Sequence, residues 1–164
     1  MGRFEVEGAW RVTASPQEVW DVVSDVERWR EWWPAIREAE EIESGGVDGT
    51  GRRVRLGFDS PIPGRGLHLD VEVTDAEPPR RLAVASARGG LEGTGELTIT
   101  VEADGITRVD YRWDMRTRAW LWALDPVLRN ATSAAGHDTM RDAGDRLAEL
   151  AGGEPLPHDV TPSS

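Results

Sequence analysis

Three polar side chains could do chemistry inside this protein: Tyr111, His137 and Ser86. Tyr111 is the single tyrosine, and its phenol could orient a ligand carbonyl group or act as a general acid. His137 could exchange a proton near neutral pH, because an imidazole titrates there. Each residue also has a plain structural interpretation, in which it makes one satisfied hydrogen bond within a folded core. The sequence shows no inward carboxylate, so an acid/base pair would have to consist of Tyr111 and His137.

The sequence predicts neither a metal site nor a resident cofactor. Cysteine is absent, which excludes disulfides, thiolate zinc sites and a cysteine nucleophile. The histidines at positions 68, 137 and 158 lack the spacing of metal ligands. Gly93 and Gly95 do not form a phosphate-binding loop, because neither a lysine nor a helix start follows them.

The elements that would position these residues begin with a sheet. Alternation of apolar and polar residues predicts seven strands, at 4–12, 36–44, 53–58, 67–73, 81–87, 91–102 and 106–117. Connections of hairpin length favour an antiparallel sheet. A loop rich in proline and glycine, at 59–66, could gate access to the interior.

Helices are predicted in two places. Between the first two strands, Ser15 and Glu18 form a capping box with Pro16 at the first helical position, and Asp25 could cap a second short helix. A long helix is predicted from Asp125 and Pro126 to the glycines at 152–153, with a short helical turn at 120–124 before it. The long helix would cover the apolar face of the sheet.

Inward-facing positions form the candidate binding surface. They could line a ligand pocket or fill a packed core, since periodicity is the same for both. Trp29, Trp32 and Trp33 cluster on the second short helix, where they could form a cavity wall or pin that helix to the sheet edge. The expected ligand-binding residues are Trp33, Leu56, Phe58, Leu69, Val71, Val84, Ser86, Leu97, Ile99, Tyr111, Trp113, Met115, His137 and Met140.

Two local patterns resemble the START-like helix-grip superfamily (SRPBCC), near its polyketide cyclase/dehydrase branch. In residues 14–34, Ser-Pro-x-x-Val-Trp is followed by Asp-x-x-x-Trp-x-x-Trp, and residues 137–144 read His-Asp-Thr-Met-Arg-Asp-Ala-Gly. Gly136 replaces an asparagine that many relatives carry there. The resemblance implies an α+β fold, in which a curved antiparallel seven-stranded sheet wraps around a long C-terminal helix.

The resemblance also implies a function. We expect a cavity between the sheet and the C-terminal helix that binds an apolar or aromatic small molecule, lipid- or polyketide-like. The alternative is a cofactor-independent polyketide cyclase, aromatase or dehydratase that uses Tyr111 and His137. A third possibility is a protein-interaction module like the chaperone cofactors of the superfamily, which would expose an apolar patch.

Composition and charge limit the classes of partner that this protein is expected to bind. The net charge is -11 and the isoelectric point about 4.7, which argues against nucleic acid and anionic membranes. No apolar run approaches the ~18 residues of a membrane span, so we expect a cytoplasmic protein. We expect it to be a monomer or a homodimer. All 19 cationic residues are arginine, as in GC-rich bacterial genomes. The length predicts one domain, residues 1–151, followed by a flexible tail at 152–164.

Overall fold

The computed structural model describes residues 3–58, 67–89, 91–117 and 134–160. The predicted loop at 59–66, the turn at 89–90, the helical turn at 120–124 and the start of the long helix lie wholly or partly outside these ranges. The described elements are β1 (Arg3–Val12), α1 (Pro16–Val23), a 3-10 turn (Val26–Arg28), α2 (Trp29–Trp32), β2 (Ile36–Glu43), β3 (Arg53–Phe58), β4 (Leu67–Glu77), β5 (Arg81–Gly89), β6 (Leu91–Ala103), β7 (Ile106–Thr117), α3 (Ala134–Leu150) and β8 (Asp159–Val160).

The strands form one antiparallel sheet in the order β2-β3-β4-β5-β6-β7-β1-β8. The predicted seven strands are confirmed in number and order, and the two-residue strand β8 adds to them. Hairpin neighbours pair throughout β2 to β7, and β1 then pairs with β7, so that Val6 lies opposite Trp113. This pairing brings the helices that follow β1 close to the inward face of β7.

Helix α1 starts at the predicted capping box. The Ser15 hydroxyl accepts from the Glu18 backbone N–H at 3.2 Å, and the Glu18 carboxylate accepts from the Ser15 N–H at 2.9 Å. The capping box therefore satisfies two of the backbone donors at the start of the helix. The helix buries its apolar side, which consists of Val19, Trp20, Val22 and Val23.

The predicted role of Asp25 is wrong. Asp25 precedes the 3-10 turn, but its side chain makes no capping hydrogen bond. Its carboxylate instead accepts from the Arg52 guanidinium at 2.6 Å. A charged donor makes a stronger hydrogen bond than a neutral backbone N–H, which explains the exchange of partners.

The long helix ends where the sequence predicts. Gly152 has φ 82°, a left-handed conformation that glycine adopts without strain. The N–H of Gly153 donates to the carbonyl of Ala148 at 2.9 Å and closes the last turn.

The segment after α3 runs along β1. Its backbone bonds to β1, through Thr13 N–H to the Glu154 carbonyl and Leu156 N–H to the Arg11 carbonyl, each at 3.0 Å. β8 then pairs with β1 at Gly8 and Ala9. The reason is that β1 lies next to the sheet edge and offers unpaired backbone groups. The domain boundary at residue 151 stays a prediction.

Candidate functional site

The inward face of the sheet holds most of the residues that we expected to bind a ligand. Nine of them are buried: Leu56, Leu69, Val71, Val84, Leu97, Ile99, Tyr111, Trp113 and Met140. Four are partly buried: Trp33, Phe58, Ser86 and Met115. His137 belongs to α3, but its side chain lies outside the described residues.

Four indole rings meet at one end of this face. Three come from α2 and the residue that ends it, Trp29, Trp32 and Trp33, and the fourth is Trp113 on β7. We call these four residues the tryptophan cluster. Trp32 contacts Trp29 and Trp33, with centroids 6.1 and 5.9 Å apart, and Trp113 contacts the same two rings at 5.7 and 5.2 Å. Such edge-to-face and offset contacts are favourable for aromatic rings.

Trp10 extends the aromatic surface toward the long helix. Its ring lies 5.4 Å from Trp32 and 4.5 Å from Tyr111, measured between centroids. Its indole N–H donates to the Met140 carbonyl of α3 at 2.8 Å. Tyr111, the candidate general acid, is therefore packed against an indole on the inward face of the sheet.

The buried indole N–H groups are not all satisfied in the same way. Trp29 donates to the Val23 carbonyl at 2.8 Å, as Trp10 does to Met140. Trp32 and Trp113 are 0% and 8% exposed, and their Nε1 atoms have no acceptor among the described residues.

Two glycines of β6 make room for residues of β7. Gly95 is the cross-strand partner of Trp113, and a Cβ at Gly95 would overlap the carbons of the Trp113 ring. A Cβ at Gly93 would meet the backbone of Asp114 and Met115. Sequence analysis did not find this role, because the spacing of Gly93 and Gly95 acquires meaning only from the register of β6 against β7.

Arg52 anchors the chain segment that leads into α2 and its tryptophans. Its guanidinium reaches three carboxylates, those of Asp25 at 2.6 Å, Glu41 at 2.5 Å and Glu27 at 3.3 Å. Burial opposes its charge, but the hydrogen bonds to Asp25 and Glu41 outweigh burial and raise the pKa of Arg52. The 3-10 turn that leads into α2 is therefore tied to β2 and to the residue before β3.

The described interior contains few side chains that could act as an acid or a base. Thr107 is the single buried polar residue among those described, and its hydroxyl donates to the Ala14 carbonyl. No group of three or more histidine or acidic side chains is placed to hold a metal ion in the described ranges. Within the same ranges, no helix has the length and apolar character needed to cross a bilayer.

A groove of about 410 Å³ is lined mainly by polar and charged residues of β1, β6 and β7. Several of its charged groups are paired, Arg108 with Asp110 at 3.0 Å and Glu96 with Arg81 at 3.1 Å. The hydrogen bond from Arg81 lowers the pKa of Glu96. Such a solvated surface does not suit an apolar ligand. Its lining residues are Glu7, Gly8, Glu96, Thr98, Arg108, Asp110, Tyr111 and Arg112.

Comparison with known families assigns the chain to one of them. The model of the family described as polyketide cyclase/dehydrase and lipid transport matches residues 3–152. The chain belongs to this family. No sequence among the curated proteins matches that of the chain.

Solved structures agree with the family assignment at the level of the fold. Zhui aromatase/cyclase from a Streptomyces species is 20% identical with a TM-score of 0.70, and the alignment covers 92% of this chain and 94% of that one. A START superfamily protein from Mycobacterium smegmatis is 18% identical with a TM-score of 0.67, covering 92% and 98%. Norcoclaurine synthase from Thalictrum is 15% identical with a TM-score of 0.61, covering 92% and 94%. This member of the polyketide cyclase/dehydrase and lipid transport family therefore has the helix-grip fold that the sequence predicts.

Proposed function

We propose that this protein binds an apolar or aromatic small molecule between the inward face of its sheet and the C-terminal helix. The observation that carries the proposal is the tryptophan cluster, because four indoles gathered on the inward face offer a large aromatic contact surface. The apolar walls of β3 to β7 extend that surface, and burial against them would supply most of the affinity, at ~25 cal/mol per Å² of apolar area.

Simple binding is favoured over catalysis by the chemistry of the described interior. General acid/base catalysis needs groups that can exchange protons beside the substrate. Among the described residues, the inward face offers Tyr111 for this purpose and no buried carboxylate. A cyclase-type enzyme that uses Tyr111 and His137 is the second candidate, and the burial of Tyr111 on the inward face supports it.

The interaction-module alternative has less support. The large apolar side chains that are exposed among the described residues are Ile42, Val47, Val101 and Leu150. They lie on β2, the turn after it, β6 and the end of α3, so they do not build one contiguous patch. A bacterial cytoplasmic setting remains part of the proposal, and the net charge of -11 argues against a nucleic-acid partner.

Native mass spectrometry of the purified protein, followed by organic extraction, tests the proposal. We expect either a bound apolar compound or tight binding of a hydrophobic fluorescent probe. Val71→Phe adds bulk to the inward face of β4, whereas Glu72→Phe adds it to the exposed face of the same strand. The first substitution should weaken probe binding about tenfold or more, and the second should leave it unchanged.

Two outcomes would change the proposal. If the protein is empty and does not bind the probe, the interior is a filled core and the interaction module becomes the better hypothesis. If the extracted compound is converted by the protein, and Tyr111→Phe abolishes conversion but not binding, the enzyme reading replaces simple binding.

A further inference from the structure

The buried indoles around the site divide into two kinds. Trp10 and Trp29 each donate to a backbone carbonyl at 2.8 Å, which fixes their rings as parts of the framework. Trp32 and Trp113 are 0% and 8% exposed and both Nε1 atoms are buried, yet neither meets an acceptor within the described residues. The second pair therefore carries two donors that the described framework does not use.

Both unused donors belong to the tryptophan cluster. Trp32 and Trp113 contact the same two rings, Trp29 and Trp33, at centroid distances between 5.2 and 6.1 Å. Buried polar groups in native proteins are almost always hydrogen-bonded, and buried tryptophan usually finds a partner for its N–H. Two unsatisfied donors in one aromatic cluster therefore call for an acceptor beyond the described framework, and a bound ligand can supply it.

We propose that Trp32 and Trp113 are specificity-determining residues, whose indole N–H groups donate to acceptor oxygens of an uncharged planar aromatic ketone. This inference rests on the proposed function, because it specifies the ligand of the same site. An indole N–H donates and never accepts, so the ligand must supply the lone pairs. The flat rings of the cluster favour a flat aromatic partner that can stack or pack edge-to-face.

The assignment also explains a feature of the sheet. Gly95 leaves space for the Trp113 ring on the neighbouring strand, so the position of that ring is built into β6. The polar side chains that we expected from the sequence to orient a ligand were Tyr111, His137 and Ser86. Indole donors were not among them, because a tryptophan in a sequence gives no sign of whether its N–H is satisfied.

A matched pair of probes tests the inference. Fluorene and 9-fluorenone share one tricyclic skeleton, and the ketone differs by a carbonyl oxygen that can accept hydrogen bonds. Equilibrium dialysis of each probe against the purified full chain gives two affinities. We expect the ketone to bind about tenfold more tightly than the hydrocarbon. The ketone oxygen can accept from the buried indole N–H groups, whereas the hydrocarbon leaves them unpaired.

Nitrogen-15 labelling of the indoles reports on the two donors directly in the unsubstituted protein, once the resonances are assigned. The Nε1 resonances of Trp32 and Trp113, assigned from Trp32→Phe and Trp113→Phe, should move when 9-fluorenone is added and move much less with fluorene. Each of these variants should also reduce the preference for the ketone. Trp20→Phe, a substitution of a buried tryptophan outside the cluster, should leave that preference unchanged.

The outcomes separate this inference from the proposed function. Equal affinities for the two probes, or ketone binding that moves neither indole resonance, would overturn the donor assignment and leave hydrophobic binding intact. If neither probe binds the folded protein, the proposed function fails and the inference fails with it. A preference that persists in both tryptophan variants would assign the recognition to another donor.

Discussion

The ring of Trp113 lies against Gly95 on the neighbouring strand, in the space where any other residue would carry its Cβ. Because these residues are direct cross-strand partners, the glycine determines how closely the ring can approach the sheet. The same ring reaches Trp33 at 5.2 Å and Trp29 at 5.7 Å. A glycine on β6 therefore controls the geometry of an aromatic surface that is built mostly by α2.

Gly95→Ala should disturb the tryptophan cluster. The added methyl group must displace the Trp113 ring, and overpacking of this kind costs about 1–3 kcal/mol of unfolding free energy. We expect a lower melting temperature, altered near-ultraviolet circular dichroism and weaker probe binding. Thr94→Ala, at an exposed position on the same strand, is the matched control and should change none of these. A Gly95→Ala protein with unaltered aromatic dichroism would contradict the close packing.

Arg52→Gln should loosen the segment that presents α2. The substitution removes a cation and leaves Asp25, Glu27 and Glu41 close together without compensation. Breaking a partly buried ion-pair network in this way should cost about 1–3 kcal/mol. Arg55→Gln breaks an exposed pair with Asp70 and should cost less than about 1 kcal/mol.

Salt distinguishes this mechanism from a loss of packing. Repulsion among the remaining carboxylates is screened by salt, so the stability deficit of Arg52→Gln should shrink between low salt and 0.5 M NaCl, where the screening length falls to about 4 Å. Urea unfolding at both salt concentrations measures the deficit. A deficit that is equal at both concentrations would show that the charge network is not its cause.

The parts of the fold that were predictable are those with local causes. Ser15 and Glu18 are three residues apart, so the start of α1 follows from a single turn of chain. The strands follow from alternation of apolar and polar residues, which requires one face to be buried. The same alternation placed Leu97, Tyr111 and Trp113 correctly on the buried side.

The parts that were not predictable depend on distant partners. Asp25 was expected to cap a helix, but its carboxylate meets Arg52, which lies 27 residues away in the chain. Nothing in the sequence indicated the contact between His158 and Arg11, which are 147 residues apart in the chain. The donors of Trp32 and Trp113 were missed because satisfaction of a hydrogen bond is a property of the packed core.

Acid should destabilise the protein below about pH 4. Hydrogen bonds from Arg81, Arg11 and Arg3 lower the pKa values of Glu96, Glu102 and Asp114, in that order. A carboxylate whose pKa is lower in the folded state binds protons more readily when unfolded. Its contribution is therefore present at neutral pH and is lost as the pH falls through the folded-state pKa.

Between pH 7 and about pH 5, the change in net charge should increase the stability of the protein. The charge of -11 at pH 7 approaches zero near the isoelectric point of about 4.7, which relieves repulsion. We expect a melting temperature that is level or rising from pH 7 to about pH 5 and that falls below about pH 4. Arg3→Gln should make the acid loss shallower, because it removes the main cause of the pKa shift of Asp114. Stability that keeps rising below pH 4 would refute the contribution of these pairs.

His158→Phe should release the segment that follows α3. The Nδ1 atom of His158 accepts the Arg11 backbone N–H at 3.1 Å, and its Nε2 atom lies 2.9 Å from the Asp145 carboxylate. Because Nδ1 accepts, the ring proton is on Nε2 and is donated to Asp145. The side chain is 3% exposed, and its loss leaves the Arg11 N–H without its acceptor at a cost of about 1–3 kcal/mol.

Hydrogen exchange locates the effect of His158→Phe. We expect faster exchange at the N–H groups of Arg11 and Leu156, which the docked segment protects, together with a lower melting temperature. His68→Phe, at an exposed histidine, should change neither quantity. Truncation after Gly153 should reproduce the loss. If the truncated and full-length chains unfold at the same temperature, the segment is not part of the cooperative fold and the flexible tail expected from the sequence describes it better.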